Sequence, residues 1–172
     1  MTELTTARLT LRSLTPADFD ALFALVSDYE VAKMTASWPH PADPELTRAR
    51  CQPYAGTGFV FGAFAGPELV GVLGVTAEHD PPELGYMFAR AHWGRGLASE
   101  ACRAAVNHAF ASFDWPEIAA CVFDDNPASA RVLEKLGFEA TGPCTGSSAA
   151  RASDALPTQN FRLARGKAAA KP

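Results

Sequence analysis

The chain has 172 residues, of which 48% are hydrophobic and 20% charged, and its formal net charge is −4. That length and balance suit one globular domain and exclude a disordered tail, a collagen-like chain and a coiled coil. The apolar runs fall short of the roughly 18–20 residues that a membrane span needs, so no membrane partner is expected.

Residues 7–13, ARLTLRS, alternate apolar and polar side chains and predict a strand. Thr15 and Pro16 then form a helix-start signal, and Phe19, Leu22, Phe23 and Val26 recur at helical spacing, so one helix is predicted over 16–33. WPHPADP at 38–44 is a proline-rich loop, with a weaker helix after it to about Tyr54. Phe59–Ala65 and Leu69–Ala77 read as two strands joined by a Gly-Pro-Glu turn. Glu83–Phe88 is a short strand that ends in the glycine-bearing loop His92–Gly96, and a long helix follows. Glu117–Phe123 is a further strand. Asp125-Asn126-Pro127 starts a helix that runs to Leu136, with Gly137 as its C-cap. Phe138–Thr141 resumes a strand, Gly142–Pro157 reads as a loop, and Asn160–Ala164 as a last strand. The expected domain is residues 1–164, with 165–172 a frayed tail.

The four cysteines, Cys51, Cys102, Cys121 and Cys144, are widely spaced and form no C-x-x-C pair. This argues against a zinc site or a redox dithiol and suggests reduced thiols; no metal is expected. The N-terminus lacks a basic stretch followed by an apolar core, so a cytoplasmic location is expected. The charge is uneven. Residues 1–142 carry 18 acidic and 10 basic groups, or −8, whereas residues 143–172 carry one acid and five bases, or +4. An acidic body is a poor nucleic-acid surface, and no nucleic-acid partner is expected.

Two segments stand out chemically. In ELGYMF-ARAHWGRGLASEA, Gly94 and Gly96 allow the backbone to approach a ligand, and the helix after them presents unpaired N–H groups suited to a pyrophosphate. The G-x-G-x-x-G and GK[ST] fingerprints are both absent, and a plain strand-to-helix turn accounts for the pattern equally well. In DDNPASARVLEKLGF, Ser129 shares the inward face of Leu133. Its hydroxyl could meet a ligand or bond back to the helix backbone, and Asn126 has a sufficient role as N-cap.

Together, WGRGLASEA and NPASARVLEKLGF about 30 residues later resemble the GNAT superfamily of acetyl-CoA-dependent N-acetyltransferases, in particular its ribosomal-protein N-terminal (Rim-type) branch. TARLTLRSLTPADFDALFALVSDYEV is similar to the first strand and helix of that branch. The resemblance implies an α+β fold: a mixed, mostly antiparallel sheet of six or seven strands with a splayed parallel central pair, flanked by about four helices. It implies acetyl-CoA as co-substrate. Trp93, Gly94, Arg95, Gly96, Leu97, Ala98 and Ser99 would bind the pyrophosphate, with tryptophan replacing the usual Gln or Arg at the first position. Tyr86, Met87 and Phe88 would line the splay, with a backbone N–H near Phe88 on the thioester oxygen. Asn126 would bond to the pantetheine arm, and Ser129 would lie near the sulfur.

Acetyl transfer needs a neutral amine, a donor for the oxyanion and a way to stabilise the leaving thiolate. Glu83 is the candidate base or ammonium anchor, with a solvated strand-end carboxylate as the alternative. Ser129 is a candidate acid for the thiolate. Many relatives use a tyrosine in that helix, and none stands between Asn126 and Gly137 here. Trp38 is expected either to line the amine pocket or simply to pack. The expected acceptor is a protein N-terminus or a small primary amine. Homodimerisation stays open, as does a non-catalytic acyl-CoA-binding or sensor role on the same fold.

Overall fold

A computed structural model describes residues 2–167. Its strands are β1 (Glu3–Thr5), β2 (Thr10–Arg12), β3 (Gly58–Ala65), β4 (Glu68–Thr76), β5 (Glu83–Phe88), β6 (Glu117–Phe123), β7 (Glu139–Ser148) and β8 (Ser153–Ala164). The helices are α1 (Phe19–Ser27), α2 (Tyr29–Ala32), α3 (Pro44–Arg50), α4 (Leu97–Ser112) and α5 (Pro127–Leu136), with 3₁₀ turns at Pro16–Asp18 and Arg90–His92. The eight strands form one sheet in the order β1-β2-β3-β4-β5-β6-β8-β7. Every neighbouring pair is antiparallel except β5–β6. The mixed, mostly antiparallel sheet thus matches expectation, with one strand more than the six or seven expected.

The sheet is covered on both faces, which is why β4 is buried from Leu69 to Val75 without alternation. On one face Leu84 and Phe88 pack with Cys102, Val106, Leu133 and Leu136 of α4 and α5. On the other, Val72 and Met87 pack with Leu22, Val26, Val31 and Trp38 from the α1–α3 region.

Two local expectations need correction. The helix over 16–33 is broken at Asp28, which has extended backbone (φ −75°, ψ 113°) and accepts the Glu30 N–H on its carboxylate. An aspartate that bonds its own downstream N–H competes with helix continuation, and an apolar stripe does not reveal this. The segment Gly142–Pro157 is not a loop. It forms most of β7 and the start of β8, a long hairpin in which Cys144 pairs with Thr158 and Ser148 with Ser153. Its Gly, Ser, Ala and Pro content hides the strand because β7 is an edge with little to bury. β1 was also unread, being only three residues long.

The hairpin tip is fastened to the segment after α2 and to the end of β6. Arg151 donates from Nε to the Lys33 carbonyl at 2.7 Å and from Nη1 to Asp125 at 2.7 Å, and it lies over the Phe123 ring. Ala149 N–H donates to Ala36 O and Ser148 Oγ to Lys33 O. The four described bases of the C-terminal segment each face an acid of the body: Arg151 with Asp125, Arg162 with Glu117, Arg165 with Asp114 and Lys167 with Glu139. Arg165 also donates to the Phe110 and Phe113 carbonyls at the end of α4, where a cation suits the helix dipole. The expected frayed tail falls outside the described residues from 168 onward.

Candidate active site

β5 and β6 share a single register pair, Glu83 with Ala119, where Ala119 N–H donates to Pro82 O at 2.7 Å. Beyond it the two strands part. Ala89 N–H bonds to Val70 O on β4, so the alternation of an antiparallel ladder turns the N–H groups of Phe88 and Tyr86 towards β6. They therefore face the opening with no strand opposite. Unpaired strand backbone beside a cleft is what an extended amide-bearing chain would pair with.

At the end of β5 the chain enters the loop to α4. The Trp93 indole N–H donates to the Phe88 carbonyl at 2.7 Å, which pins the loop to the strand end. Gly94 and Gly96 both have positive φ, +72° and +76°, a conformation that a side chain would strain. Gly96 caps α4 without any side-chain bond, so the first-turn N–H groups of Leu97, Ala98 and Ser99 stay free for an anion. Arg8 holds the loop from behind, donating from Nη1 to Arg95 O at 2.8 Å and from Nε to Glu100 at 2.6 Å. Thr6 Oγ1 donates to the same Glu100 carboxylate at 2.6 Å. Burial opposes ionisation of Glu100, but the bonds from Thr6 and Arg8 together hold its carboxyl below the usual value. Arg95 donates to His92 Nδ1 at 3.2 Å, and His92 Nε2 meets Glu68 at 3.0 Å, so the Nε2–H tautomer fits both contacts. The small Ala98 and Ser99, the positive-φ glycines and the free N–H groups all fit a pyrophosphate.

α5 supplies the other wall. The Asn126 side-chain oxygen accepts the Ser129 N–H at 3.3 Å and so caps the helix. Among the described residues, its amide nitrogen has no partner. The Tyr86 hydroxyl reaches from β5 to this turn, donating to Ser129 O at 3.0 Å and meeting Ser129 Oγ at 2.7 Å. Burial pushes the Tyr86 phenol well above its ordinary range, so it stays protonated. A tyrosine hydroxyl thus reaches the first turn of α5 from a strand 43 residues earlier, a contact no local spacing could show.

Glu83 lies half-buried at the head of β5, on the face that also carries Gly85 and Met87. Its row across the sheet continues through Ala119 to Arg162. Burial raises the Glu83 carboxyl above its usual value, with His79 and Arg162 pulling the other way. Gly85 is exposed, and a Cβ built there meets nothing within 4 Å, so open space lies directly beside Glu83 on this face. Cys121, although it lies on a strand, is exposed, because it faces this open side of β6. Trp38 is buried at 9% exposure in the core under α1–α3, so it packs rather than lines an open wall. The His108 ring centroid lies 4.9 Å from that of Phe59, and burial lowers its pKa.

The structure therefore brings Tyr86, Phe88, Trp93 to Ser99, Asn126 and Ser129 to one opening. Glu83 stands at its closed end, and Met87 points away into the α1–α3 core. Among the described residues no group of three His, Cys, Asp or Glu side chains is placed to hold a metal ion.

Known proteins agree with this geometry. The family model described as the Acetyltransferase (GNAT) domain matches residues 8–139. The chain is 33% identical over 148 residues to the "Uncharacterized N-acetyltransferase YoaA" of Bacillus subtilis (strain 168), covering 81% of this chain and 84% of that protein. Among solved structures it resembles the RimL ribosomal L7/L12 alpha-N-protein acetyltransferase in complex with coenzyme A, with TM-score 0.78 and 20% identity over 95% of this chain and 98% of that one. It also resembles Mycobacterium smegmatis RimJ in complex with CoA-disulfide, with TM-score 0.76 and 17% identity over 95% of this chain and 88% of that one. These two likenesses speak for the fold, and the family match covers most of the sheet and the whole glycine loop. The chain belongs to the GNAT acetyltransferase family.

Proposed function

We propose that this protein transfers an acetyl group from acetyl-CoA directly to a primary amine, either a protein N-terminus or a small molecule, in the cytoplasm. The observation that carries this is the opening of β5 from β6 after Glu83, with unpaired Phe88 and Tyr86 N–H groups facing it beside the Gly94–Gly96 loop. Acetyl-CoA supplies an activated acyl group as a thioester. The N–H groups of residues 94–99 hold its diphosphate, and the free amide of Asn126 meets the pantetheine arm. Of the unpaired β5 N–H groups, that of Tyr86, nearer Glu83 than Phe88 is, donates to the carbonyl oxygen as it gains negative charge, where a fixed donor counts most, and that of Phe88 meets the arm nearer the loop. Glu83 draws the ammonium form of the acceptor to the open face and takes its proton, directly or through water. A carboxyl with a raised pKa is the better base for this task. The pair of Tyr86 and Ser129 returns a proton to the departing thiolate.

The likeness to RimL, named as an alpha-N-protein acetyltransferase, supports a peptide N-terminus as one acceptor class. The test is thiol release from acetyl-CoA against a panel of amines, with calorimetry of acetyl-CoA binding alongside. Turnover with at least one amine is expected. Binding without turnover would shift the reading to an acyl-CoA sensor, and neither binding nor turnover would overturn it.

A further inference from the structure

Arg50 closes α3 with its guanidinium carbon 4.5 Å from the Trp38 ring centroid. It is half-buried, and among the described residues it has no hydrogen bond and no carboxylate at ion-pair distance. Three other partly buried or bonded arginines are matched by carboxylates, Arg12 with Asp18, Arg151 with Asp125 and Arg162 with Glu117, whereas Arg131 is exposed. The acid nearest in charge to Arg50 is Glu78, whose carboxylate is already engaged by the Tyr54 hydroxyl at 2.9 Å. A half-buried guanidinium with a flat aromatic beneath it and its five donors unspent is a recognition group for a carboxylate.

Its position gives this group a purpose. Trp38 packs with Met87 and Val72, on the sheet face that carries Glu83 and the open space at Gly85. Glu83 pairs across the ladder with Thr76, and Glu78, two residues beyond Thr76, is bonded to Tyr54, which follows Arg50 by four residues, so all three share one neighbourhood. A cation and an anion thus lie towards the same face of the sheet. Arg162 also lies near Glu83 but already has Glu117 at 3.9 Å.

We propose that Arg50, stacked on Trp38, anchors a carboxylate carried by the acceptor, so that the site takes an amino-carboxylate rather than a plain alkylamine. This deepens the acetyl-transfer reading and rests on it. The amine end lies towards Glu83 and the carboxylate end towards the α3 terminus. Two sources share this chemistry: a free amino acid, and a peptide whose N-terminal region holds an acidic side chain.

The test uses two matched pairs on the intact protein: L-leucine against L-leucinamide, and Ala-Glu-Ala-amide against Ala-Gln-Ala-amide. The amide of leucine has the less basic amine, so amine ionisation alone favours the amide and cannot imitate the expected result. In at least one pair the carboxylate member is expected to lead in kcat/KM by roughly ten-fold or more. A lead confined to the leucine pair names a free amino acid, and one confined to the peptide pair names an acidic peptide. Arg50→Gln is expected to bring the ratio near one, and Arg50→Lys to leave it between. Ratios near one in both pairs for the unaltered protein overturn the proposal, as does an unchanged ratio in a folded Arg50→Gln. The wild-type comparison decides even where the variants do not fold. No turnover of these or any plain alkylamine overturns the acetyl-transfer reading beneath it.

Discussion

The Tyr86 hydroxyl on β5 lies 2.7 Å from Ser129 Oγ in the first turn of α5. Two hydroxyls from different elements thus form one hydrogen bond at the wall of the opening, and burial keeps the phenol protonated. Tyr86→Phe and Ser129→Ala are each expected to lower kcat by about 100-fold, the lower end of the range for a general acid. Acetyl-CoA affinity should change far less. The double variant should lose little more than either single one, because the pair acts as a unit. Steady-state kinetics with calorimetry checks all three.

Gly96→Val should weaken acetyl-CoA binding at least ten-fold. The position has φ +76°, which a β-branched residue adopts only with strain of about 1–2 kcal/mol. A Cβ there also comes within 3.5 Å of Arg8, which holds the loop. Calorimetry reads the loss, and unchanged affinity would refute the anion role of the loop.

Glu83 links activity and stability to pH with a definite sign. Its carboxyl is raised above 4.5 in the folded protein, mainly by burial. The folded state therefore holds this proton more tightly than the unfolded chain does. Stability contributed by Glu83 is present below the unfolded value and is lost as pH rises through the folded one. Glu83→Gln should thus be slightly more stable at neutral pH yet slower, and the acid limb of its pH–rate profile should vanish. A profile that keeps its acid limb leaves Glu83 as an anchor only.

Asp18 has the opposite sign. Its carboxylate accepts both Nη atoms of Arg12 and the Thr15 N–H and Oγ, which together with the charge of Arg12 lower its pKa from 3.8 to about 2. The stabilisation is present above 3.8 and lost as pH falls through about 2. Asp18→Asn should cost about 2 kcal/mol near neutrality and flatten acid unfolding in that window. Urea melts at pH 7 and pH 3 measure the difference.

Arg151→Ala should release the tip of the β7–β8 hairpin. It removes the bonds to Lys33 O and Asp125 and the cover over Phe123. A loss of about 1–3 kcal/mol is expected. Hydrogen exchange should quicken at residues 148–152 and at 33–36, while β3 and β4 stay protected.

Much of the fold was legible because it is locally encoded. Phe59–Ala65 and Leu69–Ala77 are apolar runs joined at Gly66, and they form β3 and β4 almost residue for residue. Asn126, Pro127 and Gly137 mark both ends of α5 through cap chemistry that acts within a few residues. The Gly94–Gly96 loop was visible for the same reason: two positive-φ positions before a helix need glycine. The −4 net charge was also readable, but its meaning was not. The basic C-terminal segment that balances the acidic body is largely spent in ion pairs with it, not held out as a tail.

The sequence by itself determined which segments become helix or strand and where the backbone can bend towards an anion, because caps, glycines and apolar periods work over short range. Only the tertiary structure decided the rest. ELGYMF does not encode that β5 leaves β6 after one pair; that follows from how the whole sheet twists between its two packed faces. Nor could spacing bring Tyr86 to Ser129, or set Arg50 on Trp38 above the face of Glu83. Those contacts join residues distant in the chain, and long-range packing, not local propensity, chooses them.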